Sequence, residues 1–160
     1  MTILLGIKMQ QVNNMSYEHP GFELWQARMN NMVVHTCFNN KSYFGFKANA
    51  LKSGICKYMR RSKRVKFMWC VSEMLLFNFH EKGGGLVTNL INRLKILLME
   101  EMSVSEISRI ILGIKKLNDF EKSGRKDMER IIEFCKIVIA SKKTRSASYI
   151  NWWWLTHPEE

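Results

Sequence analysis

The chain has 160 residues, enough for one domain with a hydrophobic core of its own. Its 46% hydrophobic residues, 11% aromatic residues and two prolines argue against a disordered tail and against a sandwich of short strands. The formal net charge of +11 favours a polyanionic partner, because each neutralised phosphate releases condensed counterions, and a basic protein without such a partner is the alternative.

The first half of the chain changes from an irregular to a helical pattern. Residues 1–45 are expected to form an irregular segment packed on the core, in which 22–34 is a candidate short helix. Apolar residues then recur at three- and four-residue spacing and predict a helix over 47–61. Residues 64–78 are apolar on nearly every side, which predicts the central buried helix.

The second half continues the helical pattern. A glycine run in "HEKGGG" predicts a flexible connector before a helix over 86–100, with phosphate binding at the helix N-terminus as the less favoured alternative. The stretch "SVSE" is a capping-box signature that opens a helix to about residue 117, and a further helix spans 128–140. The apolar stripe of the helix after "SVSE" is predicted to comprise Ile107, Ile110, Ile111 and Ile114. A short sixth helix is expected near the tryptophans. Since no segment alternates with period two, we predict an all-α fold, a compact array of five to six helices over 46–160.

The chemistry of an enzyme is not visible in the sequence. There is no Walker motif, the four histidines are scattered, and no catalytic set of side chains converges, so we expect no enzyme, no cofactor and no metal site. The four cysteines are widely spaced without a C-x-x-C pair, which is typical of a reducing, intracellular setting. The first residues are too short for a signal peptide and no apolar run approaches a bilayer span. We therefore expect a soluble protein without a membrane partner, in the nucleus, at a cytoplasmic replication site or in a virion.

The positive charge is concentrated in one interval. Between Glu23 and Glu73 there are ten Lys or Arg residues and no Asp or Glu. Within it, Lys57, Arg60, Arg61 and Arg64 follow an i, i+3, i+4, i+7 spacing, which places four cations on one helix face. The positive charges of such a face are neutralised by phosphates or by an acidic protein partner, or the face is the solvated end of an ordinary helix.

We predict a nucleic-acid-binding surface from these cations and from a second basic stretch near the C-terminus. Its members are Lys57, Arg60, Arg61, Arg64 and Lys66, joined by Lys142, Lys143 and Arg145.

Three consecutive tryptophans, Trp152, Trp153 and Trp154, lie near the end of the chain. Neighbouring residues diverge by about 100° in a helix, so the three cannot all face one core. We predict an interface here, and three alternatives stay open: packing against the N-terminal segment, a contact with an oligomer partner or another protein, and stacking on bases or a membrane surface.

Three stretches occur in an order that is typical of one protein family. They are "ALKSGICKYMRRSKRVKFMWCVSEMLL", "LINRLKILLMEEMSVSE" and "FCKIVIASKKTRSASYINWWW". Over about residues 47–150 the chain resembles the C-terminal helical region of the clamp-loader-like AAA+ ATPases of the replication-associated recombination (Werner helicase-interacting) family. The resemblance implies a compact helical domain that mediates oligomerisation beside a DNA-remodelling motor.

Individual positions carry this resemblance. The matched residues are the pair Arg60-Arg61, Met68-Trp69 at an aromatic pair, Arg93-Leu94 at a second basic-leucine motif, Glu100-Glu101 near its acidic end, and Lys143 and Tyr149 in the last segment. The chain departs from the family pattern in three ways: the ATPase module is absent, "MEEM" replaces an acidic-glycine turn, and "KKTR" replaces a proline-containing loop.

Two functions follow as hypotheses. The first is a non-enzymatic, basic helical module that binds nucleic acid (DNA or RNA) through phosphates with little sequence preference, self-associates, and serves replication or a genome. The Lys-, Asn- and Ile-rich composition suits an AT-rich genome such as that of a large DNA virus. The alternative is a structural or interaction protein, a virion or replication-complex component held by protein contacts, with the tryptophan tail as its anchor.

Overall fold

The computed structural model describes residues 20–34, 39–145, 149–150, 153 and 155–157. Within these residues the regular structure is helical, and β-pairing is limited to isolated bridges. The α-helices are α1 (Pro20–Asn30), α2 (Ala48–Arg60), α3 (Arg64–Leu75), α4 (Gly84–Glu101), α5 (Ile107–Lys122) and α6 (Met128–Ala140). Short 3-10 helices, Leu76–Phe79 and Val104–Glu106, follow α3 and precede α5. The predicted all-α fold is confirmed.

The helix boundaries differ from the prediction mainly at the ends. The helix predicted over 64–78 corresponds to α3, which ends at Leu75 and is followed by the 3-10 helix Leu76–Phe79. The helix after the glycine run begins at Gly84, two residues earlier than predicted. Gly83 is buried, and a Cβ atom there would lie 1.8 Å from the carbonyl oxygen of Phe77. Glycine is therefore required at this position by the close backbone contact, so the glycine run is not only the flexible connector that was predicted.

The chain divides into two compact units. The first comprises Met1–Ile55 and Val65–Leu90. Its buried side chains come mainly from α2, α3 and the start of α4: Leu51, Ile55, Phe67, Cys70, Val71, Met74, Leu75, Phe77, Val87 and Leu90. Val65, expected inside the buried helix, is 59% exposed, whereas Phe67 in the same first turn of α3 is fully buried. Arg64 and Lys66 are exposed as well, and the other residues of α3 are buried except Met68, Trp69 and Ser72, which are half-buried.

The second unit comprises Cys56–Arg64 and Ile91–Glu160. Its core lies among α4, α5 and α6, with Leu94, Leu97, Leu98, Ile110, Leu117, Phe120, Phe134 and Val138 as buried members. Helices α5 and α6 pack on each other. The predicted stripe of α5 is correct for Ile110, but Ile107 and Ile111 are 51% and 61% exposed. The inward face of α5 instead runs through Ile110, Gly113, Leu117 and Phe120, since residues at three- and four-residue spacing lie above one another.

Ion pairs link the outer faces of the second unit. The Lys116 ammonium lies 2.8 Å from the Glu133 carboxylate, and Arg130 reaches the same carboxylate at 3.0 Å. Hydrogen bonds from these two cations hold the pKa of Glu133 below its usual value. Lys95 and Glu121 pair at 2.6 Å between α4 and α5. Partly exposed pairs of this kind contribute little individually to stability.

Candidate nucleic-acid interface

A tight turn between α2 and α3 sets the position of the first group of predicted cations. Ser62 has φ +50°, its N–H donates to the carbonyl of Met59 at 3.0 Å, and the Lys63 N–H donates to the carbonyl of Tyr58 at 2.9 Å. These two bonds form a Schellman motif, which ends a helix with one residue in the left-handed region. We call residues 57–64, which contain this turn, the corner. They carry five cations without an intervening carboxylate.

Helix dipoles explain part of this cluster but not all of it. Lys57 and Arg60 lie in the last turn of α2, where the negative end of the dipole favours cations. Arg64 begins α3, and no acidic residue lies in the first turn of that helix. A cation at a helix N-terminus is unfavourable, whereas an anion there is stabilised by the free N–H groups. The helix dipole therefore does not account for a cation at Arg64.

Arg60 is engaged by a carboxylate of the protein itself. Its Nε donates to Oε2 of Glu101 at 2.8 Å and its Nη2 donates to Oε1 of the same residue, a bidentate pair. The Glu101 side chain is 4% exposed, and the bond to it raises the pKa of Arg60. Arg60 was predicted to contact phosphate. Its guanidinium instead binds Glu101 and so joins the corner to the end of α4.

The second predicted basic stretch runs beside the same end of α4. The Ser103 N–H donates to the carbonyl of Lys142 at 3.1 Å, and the Thr144 N–H donates to the carbonyl of Glu101 at 2.9 Å. The first of these bonds explains why the predicted capping box does not close: the Ser103 N–H already has a partner. Glu106 pairs instead with Arg109 at 2.9 Å, while the Ser103 hydroxyl accepts from the Ser105 N–H.

Lys143 points inward and caps a helix. Its Nζ donates to the carbonyl of Ser141 at 2.6 Å and to the carbonyl of Val138, in the last turn of α6. Partial burial lowers the pKa of this ammonium group. Lys143, like Arg60, therefore contributes to the framework of the predicted site, whereas Lys142 and Arg145 of the same stretch are exposed.

Glu101 brings the two basic stretches together. Its carboxylate binds Arg60 of the corner and its carbonyl binds Thr144 of the C-terminal stretch, although these residues are far apart in sequence. We call five exposed cations of the two stretches, all predicted for this site, the basic surface: Lys57, Arg61, Arg64, Lys142 and Arg145. Within the part of the chain that the structure describes, none of these five side chains forms an ion pair. Lys66, also predicted for this site, is exposed but belongs to the first unit.

Two arginines near the basic surface were not predicted as part of it. Arg93 places Nη2 3.4 Å from Sγ of Cys56, and Arg109 donates to the carbonyl of Ala140 at 3.1 Å while pairing with Glu106. Sequence spacing carries no signal for the contacts of Arg93 with Cys56 and of Arg109 with Ala140, because each joins residues more than thirty positions apart.

The aromatic tail is described only in part. Trp152 and Trp154, predicted as interface residues, lie outside the described residues. Trp153 is half-buried, and its ring stacks on the His157 ring with centroids 5.1 Å apart. Tyr149, Ile150 and Leu155 expose 63%, 53% and 75% of their surfaces. The prediction of an interface at the tryptophans stays a prediction.

Comparison with known proteins adds no identity to these observations. Over the described ranges, no helix is both long enough and apolar enough to cross a bilayer. No protein-family model, curated protein or solved structure matches the chain. The resemblance to the clamp-loader-like family therefore stays a prediction from the sequence.

Proposed function

We propose that the protein is a non-enzymatic module that binds nucleic acid through the phosphates of its backbone, using the basic surface of the second unit. One observation carries the proposal. Two stretches that are distant in sequence are bonded to the same residue, Glu101, through Arg60 and the Thr144 N–H, and the exposed cations next to these contacts in sequence have no carboxylate partner among the described residues.

The residues divide into two roles under this proposal. Lys57, Arg61 and Arg64 contact phosphates from the corner, and Lys142 and Arg145 extend the contact along the C-terminal stretch. Arg60 and Glu101 hold the two stretches in register without touching the ligand. Contacts of this kind position a nucleic acid but carry no sequence information, so binding has little sequence preference.

Salt dependence measures the number of phosphate contacts. On B-DNA each neutralised phosphate contributes about −0.9 to the slope of log K against log salt, so five contacts give a slope of about −4.5. The test is fluorescence anisotropy of a labelled 20-base-pair duplex, titrated with the full chain at several salt concentrations. The variant pair Arg61→Gln with Arg64→Gln is expected to reduce the magnitude of the slope by about 2.

A charge-matched control separates local contacts from net charge. Lys122→Gln with Lys136→Gln removes two exposed cations of the same unit, from α5 and α6. This control is expected to keep the wild-type slope. Equal losses in the two double variants would mean that only the total charge matters, and salt-insensitive binding of the wild type would contradict the proposal outright.

An interaction or structural protein is the second candidate function. The observation that favours it is a stripe of exposed apolar side chains, Val104, Ile107 and Ile111, at 67%, 51% and 61% exposure. Their spacing of three and four residues aligns them along one side of the start of α5. Together with the exposed side chains of the tail, this stripe is suited to self-association or to a partner with an apolar face.

Light scattering distinguishes this candidate. Self-association through the stripe predicts an oligomer that Ile107→Ser with Ile111→Ser dissociates. Leu24→Ser with Val65→Ser removes two equally exposed apolar side chains of the first unit and is the control, expected to have no effect. A chain ending at Ser148 tests the tail in the same way. A monomeric wild type would contradict self-association.

A further inference from the structure

The first unit contains an open pocket with an aromatic and cationic lining. Its volume is about 520 Å³, within the ~300–1,000 Å³ typical of small-molecule sites. The lining residues are Arg28, Asn31, Val33, Lys41, Tyr43, Phe44 and Gly45. Both charged side chains among them are cations, and neither forms an ion pair within the described residues. The pocket thus offers aromatic rings beside positive charge.

The loop that forms the pocket is held from beneath by a buried carboxylate. Glu73 of α3 is 2% exposed, and its Oε1 accepts from the Ser42 hydroxyl and from the Phe44 N–H at 2.7 Å. The backbone closes the loop as well, since the Ser42 N–H donates to the carbonyl of Phe46 at 2.9 Å. Gly45 has φ +81°, a conformation that favours glycine. A loop ordered in this way loses little entropy when it binds a ligand.

The Phe44 ring stays partly accessible although the loop is ordered, while Tyr43 is half-buried. Phe44 is 49% exposed although its N–H is bonded to Glu73. The Arg28 guanidinium carbon lies 5.0 Å from the Phe44 ring centroid and 5.8 Å from the Tyr43 ring centroid. Partial burial raises the pKa of the Tyr43 phenol, against the opposing effect of Arg28.

We propose that this pocket binds an unpaired nucleobase together with its phosphate. The base stacks on the exposed ring of Phe44, and Lys41 and Arg28 contact the phosphate. An exposed aromatic platform beside cations is the arrangement by which proteins bind single strands without reading sequence. A duplex cannot use it, because its bases are stacked inside. The site lies in the first unit, so it goes beyond the proposed function and does not depend on the basic surface.

The experiment compares ligands that differ only in their bases. A labelled 15-nucleotide oligo-dT is titrated with the full chain, beside an abasic strand of the same length and charge. Wild type is expected to bind oligo-dT at least about tenfold more tightly than the abasic strand, a factor that corresponds to ~1.4 kcal/mol. Phe44→Leu is expected to remove this difference while leaving abasic binding unchanged.

Phe46→Leu is the matched control. Phe46 is 47% exposed in the same loop but does not line the pocket, and its ring lies edge-on to Trp69. It is expected to keep the preference for bases. A thermal melt by circular dichroism checks that both variants fold, and Arg28→Gln provides a second test on a different element. Equal loss in Phe44→Leu and Phe46→Leu, or equal binding of both strands by wild type, would overturn the inference.

Thymidine monophosphate distinguishes two sources of the same chemistry. If it displaces oligo-dT from wild type but not from Phe44→Leu, the pocket binds a free nucleotide as well as a strand. If only strands compete, the pocket serves single-stranded nucleic acid. The proposed function fails separately: Arg61→Gln with Arg64→Gln changes duplex binding and its salt slope, whereas Phe44→Leu changes only the contribution of bases.

Discussion

The Arg60–Glu101 pair gives the sharpest test of the proposed division of roles. Arg60→Ala would leave the Glu101 carboxylate, 4% exposed, without the bidentate donor that neutralises it. Arg61 is the next residue, is exposed, and pairs with no carboxylate among the described residues. The two adjacent arginines are therefore expected to behave in opposite ways, one supporting the fold and the other binding phosphate.

The magnitude follows from how far the pair is buried. Breaking a fully buried ion pair costs ~3–5 kcal/mol, while an exposed pair contributes ~0–1 kcal/mol. Here one partner is buried and the other, Arg60, is 40% exposed, so solvent screens the pair in part. We expect Arg60→Ala to lower the free energy of unfolding by about 2 kcal/mol. For a chain of 160 residues this corresponds to a Tm lower by roughly 4–8 °C.

Urea denaturation followed by circular dichroism at 222 nm measures this change. Arg61→Ala is the control, with an expected change within about 0.5 kcal/mol. Glu101→Gln and the double variant complete a thermodynamic cycle, in which the double variant should cost less than the sum of the single ones because the two residues interact directly. Duplex binding of the folded variants should show the reverse order, with the larger loss in Arg61→Ala.

Two results would refute this reasoning. Equal stability of Arg60→Ala and Arg61→Ala would show that the pair with Glu101 does not support the fold. Additive losses in the cycle would show that the two side chains act independently.

Three further predictions test other parts of the structure. Ser62→Gly should raise the urea midpoint, with a gain of up to about 1 kcal/mol, because glycine adopts the positive φ of the corner without strain. N-ethylmaleimide at pH 8 should modify half-buried Cys56 well before Cys135, since burial raises the pKa of Cys135 to about 12 and mass spectrometry of digests will report the order. Glu133→Gln should be less stable than wild type at pH 7, and urea midpoints should converge as pH falls below about 4.5, because the lowered pKa of Glu133 stabilises the fold only while that group is ionised. A constant difference down to pH 3 would contradict the last prediction.

The helices could be predicted because their signals are local. Spacing of three and four residues between apolar side chains identified α2, α4 and α6 to within a few residues. The break between the helices predicted over 47–61 and 64–78 was also visible in the sequence, where the apolar pattern pauses at Ser62 or Lys63. The interval without carboxylates located the basic stretch for the same reason, since charge density is a property of contiguous residues.

The tertiary structure decided which of these residues are available. Whether an arginine faces solvent or a carboxylate depends on a partner about forty residues away, as in the pair of Arg60 with Glu101. The same holds for Lys143, whose ammonium group caps α6, and for Ile111, which periodicity assigned to the core and packing left exposed. The pocket lined by Arg28 likewise depends on a distant contact, since the Phe44 N–H donates to the buried carboxylate of Glu73. Periodicity and composition are properties of neighbours along the chain, so the sequence by itself determines the helices and the charge of each stretch. The pairing, capping and exposure of single side chains arise only when distant segments pack together, so only the tertiary structure decides them.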